Sequence, residues 1–194
     1  MSKSLLLASA SPRRTALLSQ IGIVHSVGPV DIDESVKGDE TPLEQVNRLA
    51  SEKAQAAFSR LDENAQANTV VLASDTLISL DGVSLGKPVD AEDSARMLSA
   101  MSNRAHDVLT SISVMDIHSQ QTQCIRTRVY FGSLTGEDIA AYWETGEPAD
   151  KAGSYAIQGI GGQFVKSIEG SASAVVGLPL YETRILLKEF GVGS

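Results

Sequence analysis

Apolar and polar positions change their period repeatedly along this chain, and each change marks an element. Leu5 to Ala8 is an unbroken apolar run, suited to a short buried strand. Ser11-Pro12 follows as an N-cap with proline at the first helical position, and Ala16, Leu17 and Leu18 supply an apolar face that Gly22 ends. Ile23 to Val27 reads as a second strand. The clearest helix opens at Thr41-Pro42-Leu43-Glu44, where a Thr N-cap and a Glu three residues on form a capping box. Leu43, Val46, Leu49, Ala50, Ala54 and Ala57 continue it as one stripe at three- and four-residue spacing. Thr69 to Ala73 is a continuous β-branched and apolar run, expected to be a central strand.

Turn signals order the second half. Leu77 to Leu80 and Val83 to Leu85 flank Asp81-Gly82 as a hairpin. Asp90 caps a helix to about Met101, with Ala95, Leu98 and Met101 inward. Val108 to Met115 and Thr122 to Phe131 read as paired strands. Thr135 caps a helix reaching Trp143 and closed by Gly146. Phe164 to Ile168 and Ser173 to Val176 are expected to be short strands around Glu169-Gly170, and Leu180 to Phe190 a last helix after Pro179. Helices alternate with both hairpins and single strands, so the fold class is mixed α/β and not a purely parallel doubly wound sheet.

Composition narrows the possibilities. With 194 residues and 42% hydrophobic content, the chain can build one domain, or two lobes sharing a sheet. Its single cysteine, Cys124, excludes an internal disulfide. The Met1 to Leu7 stretch is too short for a signal h-region or a membrane span, which leads us to expect a cytoplasmic protein. A net charge of −8 argues against nucleic-acid polymers and anionic membranes as partners. A small anionic substrate remains open, provided basic residues gather at one place.

Four segments could supply chemistry. Ser9-Ala10-Ser11-Pro12-Arg13-Arg14 brings hydroxyls, a helix start and two guanidinium groups together, a set that fits phosphate; a surface cap with solvated arginines is the competing reading. Ser74-Asp75-Thr76 lies where a central strand is expected to end, so Asp75 could activate water or hold a cation, or simply cap a turn. Lys53 on its helix is solvated in the bland reading, whereas Lys87 between Gly86 and Pro88 is presented by a stiff loop that suits a phosphate contact. Glu34, in Asp31-Ile32-Asp33-Glu34, is a metal ligand or a solvated acid. In the glycine-rich stretch from Asp150 to Gly162, Gln158 offers an acceptor and a donor that match N3–H and a carbonyl of uracil or thymine, with a flexible loop as the alternative. His25, His106 and His118 show no zinc spacing, and no P-loop or G-x-S-x-G elbow occurs.

Taken in order, these pieces resemble the Maf family of nucleotide pyrophosphatases. The resemblance is carried by Ala8-Ser9-Ala10-Ser11-Pro12-Arg13-Arg14, Glu34, Glu52-Lys53-Ala54, Ser74-Asp75-Thr76, Gly86-Lys87-Pro88, Asp150-Lys151-Ala152-Gly153, Ile157-Gln158-Gly159 and Val176-Gly177-Leu178-Pro179. It implies a single domain over residues 1–194 with an elongated Maf/ITPase-like fold, two lobes on a bent mixed sheet with a cleft between them. It further implies hydrolysis of nucleoside triphosphates to monophosphate and pyrophosphate, a divalent cation (Mg²⁺ or Mn²⁺) as cofactor, and a homodimer. By motif position, Asp75 is the proton acceptor and, with Glu34, a metal ligand. Ser9, Ser11, Arg13, Arg14, Lys53, Thr76, Lys87 and Gln158 bind substrate, with Arg13, Thr76 and Gln158 at the positions tied to substrate choice. The Asp150–Gly159 stretch is similar to the branch acting on dTTP and UTP. A 7-methyl-GTP pyrophosphatase and a nucleotide-binding regulator of cell division are the alternatives. Ser74 departs from the alanine usual before the Asp.

Overall fold

Residues 3–193 are described by the computed structural model, so residues 1, 2 and 194 of the expected domain and N-terminal stretch lie outside it. In chain order the elements are β1 (Ser4–Leu7), α1 (Pro12–Gln20), β2 (Ser26–Val27), α2 (Pro42–Phe58), α3 (Glu63–Asn68), β3 (Thr69–Leu80) and β4 (Val83–Leu85). They continue as α4 (Ala91–Met101), β5 (Ala105–Met115), β6 (Gln120–Phe131), α5 (Gly136–Glu144), β7 (Val165–Glu169), α6 (Ala172–Val176) and α7 (Leu180–Glu189), with three short 3-10 turns between α5 and β7.

Local signals held where they were self-contained. Thr41 and Glu44 exchange the two hydrogen bonds of a capping box, as do Thr135 and Asp138. The β3–β4 hairpin turns on Asp81 and Gly82, both at positive φ, as a two-residue loop between twisted strands demands.

Four expectations need correction. Thr69–Ala73 and Leu77–Leu80 are one strand, because Ser74, Asp75 and Thr76 stay in register with Ile112, Ser111 and Thr110 of β5. Ser173–Val176 is helical, since the Ser171 side chain accepts from Ala174 N and Gly177, at φ +124°, ends the turn. The expected strand from Ile23 shrinks to Ser26–Val27, because Ile23 N instead returns to the Leu18 carbonyl at the end of α1. Leu43 is half exposed at the start of α2, so its buried stripe begins at Gln45 and Val46. Helix α3 buries no residue and leaves no apolar period to read.

The sheet runs β2-β1-β3-β5-β6-β7, with β4 also paired to β3. Pairings among β2, β1 and β3 are parallel, and the remainder antiparallel. The two largest apolar clusters on this sheet lie toward opposite ends of β3. One packs Leu5, Leu7, Leu17, Leu18, Leu187 and Phe190 around Val70 and Leu72 of β3. The other packs Met97, Leu98, Met101, Tyr142 and Tyr155 around Ile78 and Leu80 at the far end of the same strand. Between them β3 carries its polar triplet, Ser74-Asp75-Thr76.

His106 ties the second cluster together. Its ring is buried edge-on to Phe131 and Tyr155, Nε2 lies 2.8 Å from the Tyr155 hydroxyl, and Nδ1 has no partner. Burial pushes its pKa down from 6.5 to about 4. The unfolded chain therefore takes up this proton first as pH falls. Stability from the neutral ring is complete above 6.5 and is lost toward 4, at about 1.4 kcal/mol per pH unit inside that window. Urea unfolding at pH 7 and pH 5 should show this slope, and His106→Leu should flatten it; equal slopes would refute the assignment.

Candidate active site

Two of the three triplet residues, Asp75 and Thr76, reach the cleft because of how β3 is flanked. β1 accompanies it only over Thr69–Leu72, and β4 joins the same edge only from Ile78. Residues 73–77 thus have β5 on one side and no strand on the other. Asp75 is near the middle of a strand, yet it lies just beyond the end of the parallel pairing, where open α/β sheets place ligands. The triplet also straddles the sheet. Side chains alternate along a strand, so Ser74 and Thr76 face one way and Asp75 the other.

On the Asp75 face stands α2. Lys53 projects from it and bridges two carboxylates, with Nζ 2.7 Å from Asp75 Oδ1 and 2.6 Å from Glu34 Oε1. Lys53 and Asp75 are nearly buried, at 12% and 11% side-chain exposure, whereas Glu34 is 55% exposed. Burial alone would raise the Glu34 carboxyl, but the Lys53 hydrogen bond and charge, with Lys87 and Arg14 beyond, hold it below the usual carboxylate range. The segment bearing Glu34 has no regular structure and is strapped to α2 by Arg48. That guanidinium grips both Glu40 oxygens at 2.5 and 2.9 Å and reaches Glu52 at 3.1 Å. Hydrogen bonding by Arg48 lowers the Glu40 pKa to about 2.

On the opposite face, Arg14 is anchored by three contacts. Its Nε donates to the Gly177 carbonyl at 2.8 Å, one terminal nitrogen to Ser9 Oγ at 3.1 Å, and the other to Thr76 Oγ1 at 3.4 Å. Burial lowers its pKa, and the charge of Asp75 opposes that. The Gly177 carbonyl also accepts from Ser74 Oγ at 3.0 Å, which gives the unusual serine a structural partner. Thr76 Oγ1 further meets Thr110 Oγ1 at 3.0 Å, and Ser11 N donates to Ser9 Oγ at 3.2 Å. Hydroxyl, carbonyl and guanidinium here form one connected set.

The far wall is the glycine-rich segment. Gly153 N donates to the Gly86 carbonyl at 2.9 Å, tying this wall to the loop that presents Lys87. Gly153 sits at φ +65°, and a Cβ there would lie 2.4 Å from Ile78 Cδ1, so only glycine fits. Lys151 pairs with Asp150 beside Arg13. Gln158 is exposed and its amide makes no hydrogen bond among the described residues.

All these walls enclose one cleft of about 550 Å³. Ser9, Ser11, Arg13, Arg14, Glu34, Lys53, Asp75, Thr76, Lys87 and Gln158 all line it. Every expected site residue is therefore brought to one place. Asp150 and Lys151 join them, present in the quoted motif but not singled out as site residues. Five cations face three carboxylates, a local excess of positive charge in a chain of net charge −8. Such a surface attracts an anion the size of a nucleotide while repelling polyanions elsewhere. Tyr142 and Glu147, which brace the far wall, have no signature in the sequence; they contact each other and backbone N–H groups.

The sequence model of the family described as Maf-like protein matches residues 4–190. A dTTP/UTP pyrophosphatase of Colwellia psychrerythraea is 52% identical over 194 residues, covering 100% of this chain and 92% of that one. A protein of the same name from Aliivibrio fischeri is 47% identical over 190 residues, covering 98% of this chain and 100% of its own length. A solved structure titled nucleoside-triphosphatase / dITP/XTP pyrophosphatase, from Mycobacterium abscessus, aligns over 96% of this chain and 94% of its own at 17% identity and a TM-score of 0.43.

Proposed function

The chain belongs to the Maf-like proteins, and from that premise we propose that it hydrolyses dTTP and UTP to the nucleoside monophosphate and pyrophosphate. The observation that carries this is the convergence of Asp75, the cations and Gln158 on one cleft. Arg13, Arg14 and Lys87 hold the triphosphate, with Ser9, Ser11 and Thr76 supplying hydroxyl contacts. Arg14 is pre-positioned by the Gly177 carbonyl, so little is lost in ordering it. Asp75 accepts a proton from a water that attacks the α-phosphorus. The bond from that phosphorus to the α,β-bridging oxygen breaks, and pyrophosphate leaves with its charge met by the lysine and arginines. Lys53 fixes one Asp75 oxygen and leaves the other without a partner among the described residues.

Asp75 and Glu34 are hard oxygen donors on one ammonium, a pair suited to Mg²⁺ or Mn²⁺. Among the described residues no three His, Cys, Asp or Glu side chains converge. That fits a cation held by these two carboxylates together with substrate phosphates rather than in an all-protein cage. When bound, it would neutralise phosphoryl oxygens.

Gln158 reads the uracil or thymine edge, with Arg13 and Thr76 flanking it in the choice of substrate. We place the enzyme in the cytoplasm as a homodimer; among the described residues no helix is long and apolar enough to cross a membrane. Pyrophosphate release with Mg²⁺ should be measured across dTTP, UTP, CTP, dGTP, GTP and 7-methyl-GTP. We expect dTTP and UTP to lead by at least about tenfold in kcat/KM. Preference for 7-methyl-GTP would overturn the pyrimidine assignment, and binding without release would make the protein a regulator.

A further inference from the structure

We infer that Glu147 and Tyr142 are positioning residues that hold Gln158 at a fixed depth over the cleft and so set the discrimination between one-ring and two-ring bases. The inference rests on the base-reading role proposed for Gln158. Neither residue lines the cleft, so neither is placed to touch the nucleotide. Both act on the backbone on either side of Gln158.

The Glu147 carboxylate accepts three hydrogen bonds: Gly161 N at 2.9 Å and the Tyr142 hydroxyl at 2.6 Å on Oε1, and Ile160 N at 2.9 Å on Oε2. The Tyr142 oxygen in turn accepts from Ala156 N at 3.2 Å. Ala156 precedes Gln158 by two residues and Ile160 follows it by two, so one side-chain pair clamps both flanks of the reader. Glycines make the approach possible. A Cβ on Gly159 would lie 2.1 Å from Glu147 Oε2, and one on Gly161 would lie 2.4 Å from the Tyr142 oxygen. The carboxylate is consistent with this duty: burial would raise its pKa, but the tyrosine hydroxyl and the two N–H groups bring it below the usual range. It stays ionised, an acceptor for three donors.

The wall that bears Gln158 is fixed at two points. Gly153 is locked against Ile78 at one end of the segment, and Glu147 holds the other. A segment fixed at both ends leaves Gln158 a set distance from the cleft floor. That distance admits a pyrimidine and excludes a purine only while the clamp holds.

Glu147→Gln tests this, because its amide can accept from fewer than three donors and must turn an N–H₂ toward another N–H. Tyr142→Phe is the gentler companion, removing only the hydroxyl. For Glu147→Gln we expect KM for dTTP to rise about tenfold with kcat within about threefold, and the dTTP-to-dGTP ratio of kcat/KM to fall about tenfold. Tyr142→Phe should move the same way by less. Hydrogen exchange in the nucleotide-free protein should show lost protection at Ala156, Ile160 and Gly161, with β3 amides unchanged. Retained selectivity in both variants would overturn the inference, as would a parallel fall in kcat for every nucleotide. Were the wild type itself to turn over dTTP and dGTP alike, the base reading of Gln158 would fall, and the selectivity role with it.

Discussion

Asp75→Asn is expected to lower kcat for pyrophosphate release by about a thousandfold while leaving nucleotide affinity within a few-fold of wild type. The substitution is nearly isosteric. The amide oxygen can still accept from Lys53, whose second contact to Glu34 at 2.6 Å is untouched, so the ammonium keeps its place. The cleft and its phosphate-facing cations survive on their own anchors: Arg14 on Gly177, Ser9 and Thr76, and the Lys87 loop on Gly153. The capacity to take a proton from water disappears, and with it one of the two negative charges offered to a divalent cation. Steady-state pyrophosphate release together with equilibrium titration of dTTP against the variant separates the two effects. A variant that releases pyrophosphate near the wild-type rate would remove Asp75 from the proton-acceptor role. One that fails to bind nucleotide would instead make Asp75 a binding residue.

Asp75 is legible in the sequence as a candidate for the cleft it lines; its place inside a continuous strand is not. Ser74, Asp75 and Thr76 interrupt an apolar run, and three polar residues in a row ordinarily mark the end of a strand. The strand continues because each polar group finds a partner far away in sequence: Ser74 on Gly177, Asp75 on Lys53, Thr76 on Thr110 and Arg14. Period and propensity carry no information about those partners. Ser173–Val176, expected as a strand after the Glu169-Gly170 turn, is instead made a helix by a cap from Ser171. By contrast the Thr41 capping box and the Asp81-Gly82 turn are complete within a few residues, and both were read correctly.

The candidate site divides along the same line. Arg13, Arg14, Lys53, Asp75, Lys87 and Gln158 are chemically distinctive residues in ordered motifs, so they could be picked out before any coordinates. Their division of labour could not. Motif position assigned Lys53 to phosphate, yet its ammonium is held between two carboxylates. Arg14 spends three nitrogens on the protein itself, whereas Arg13 makes no hydrogen bond among the described residues and stands open to the cleft. Glu147 and Tyr142 were invisible because a carboxylate on backbone N–H groups looks, in sequence, like any surface acid.

The geometry around Lys53 leads to the second large effect. Lys53→Met keeps the length and apolar stem of the side chain and removes its charge, leaving Asp75 and Glu34 facing each other without a cation between them. A carboxyl that loses a neighbouring ammonium loses the charge that favoured its ionised form. The Glu34 carboxyl, held low by the Lys53 hydrogen bond and charge against the pull of burial, must then rise. Its proton therefore comes off at higher pH, and the acid limb of the pH–rate profile should move upward. At neutral pH kcat/KM should fall by about a hundredfold, the scale for losing one preorganised charged contact beside the reacting centre. Lys53→Arg would restore the charge but not the point geometry, because a planar fork cannot reproduce two contacts made by one small ammonium. It should recover the acid limb more fully than the rate. pH profiles of all three proteins with dTTP decide the matter. A Lys53→Met enzyme whose acid limb stays in place would show that the lysine serves the phosphate alone and has no part in setting the charge of Glu34.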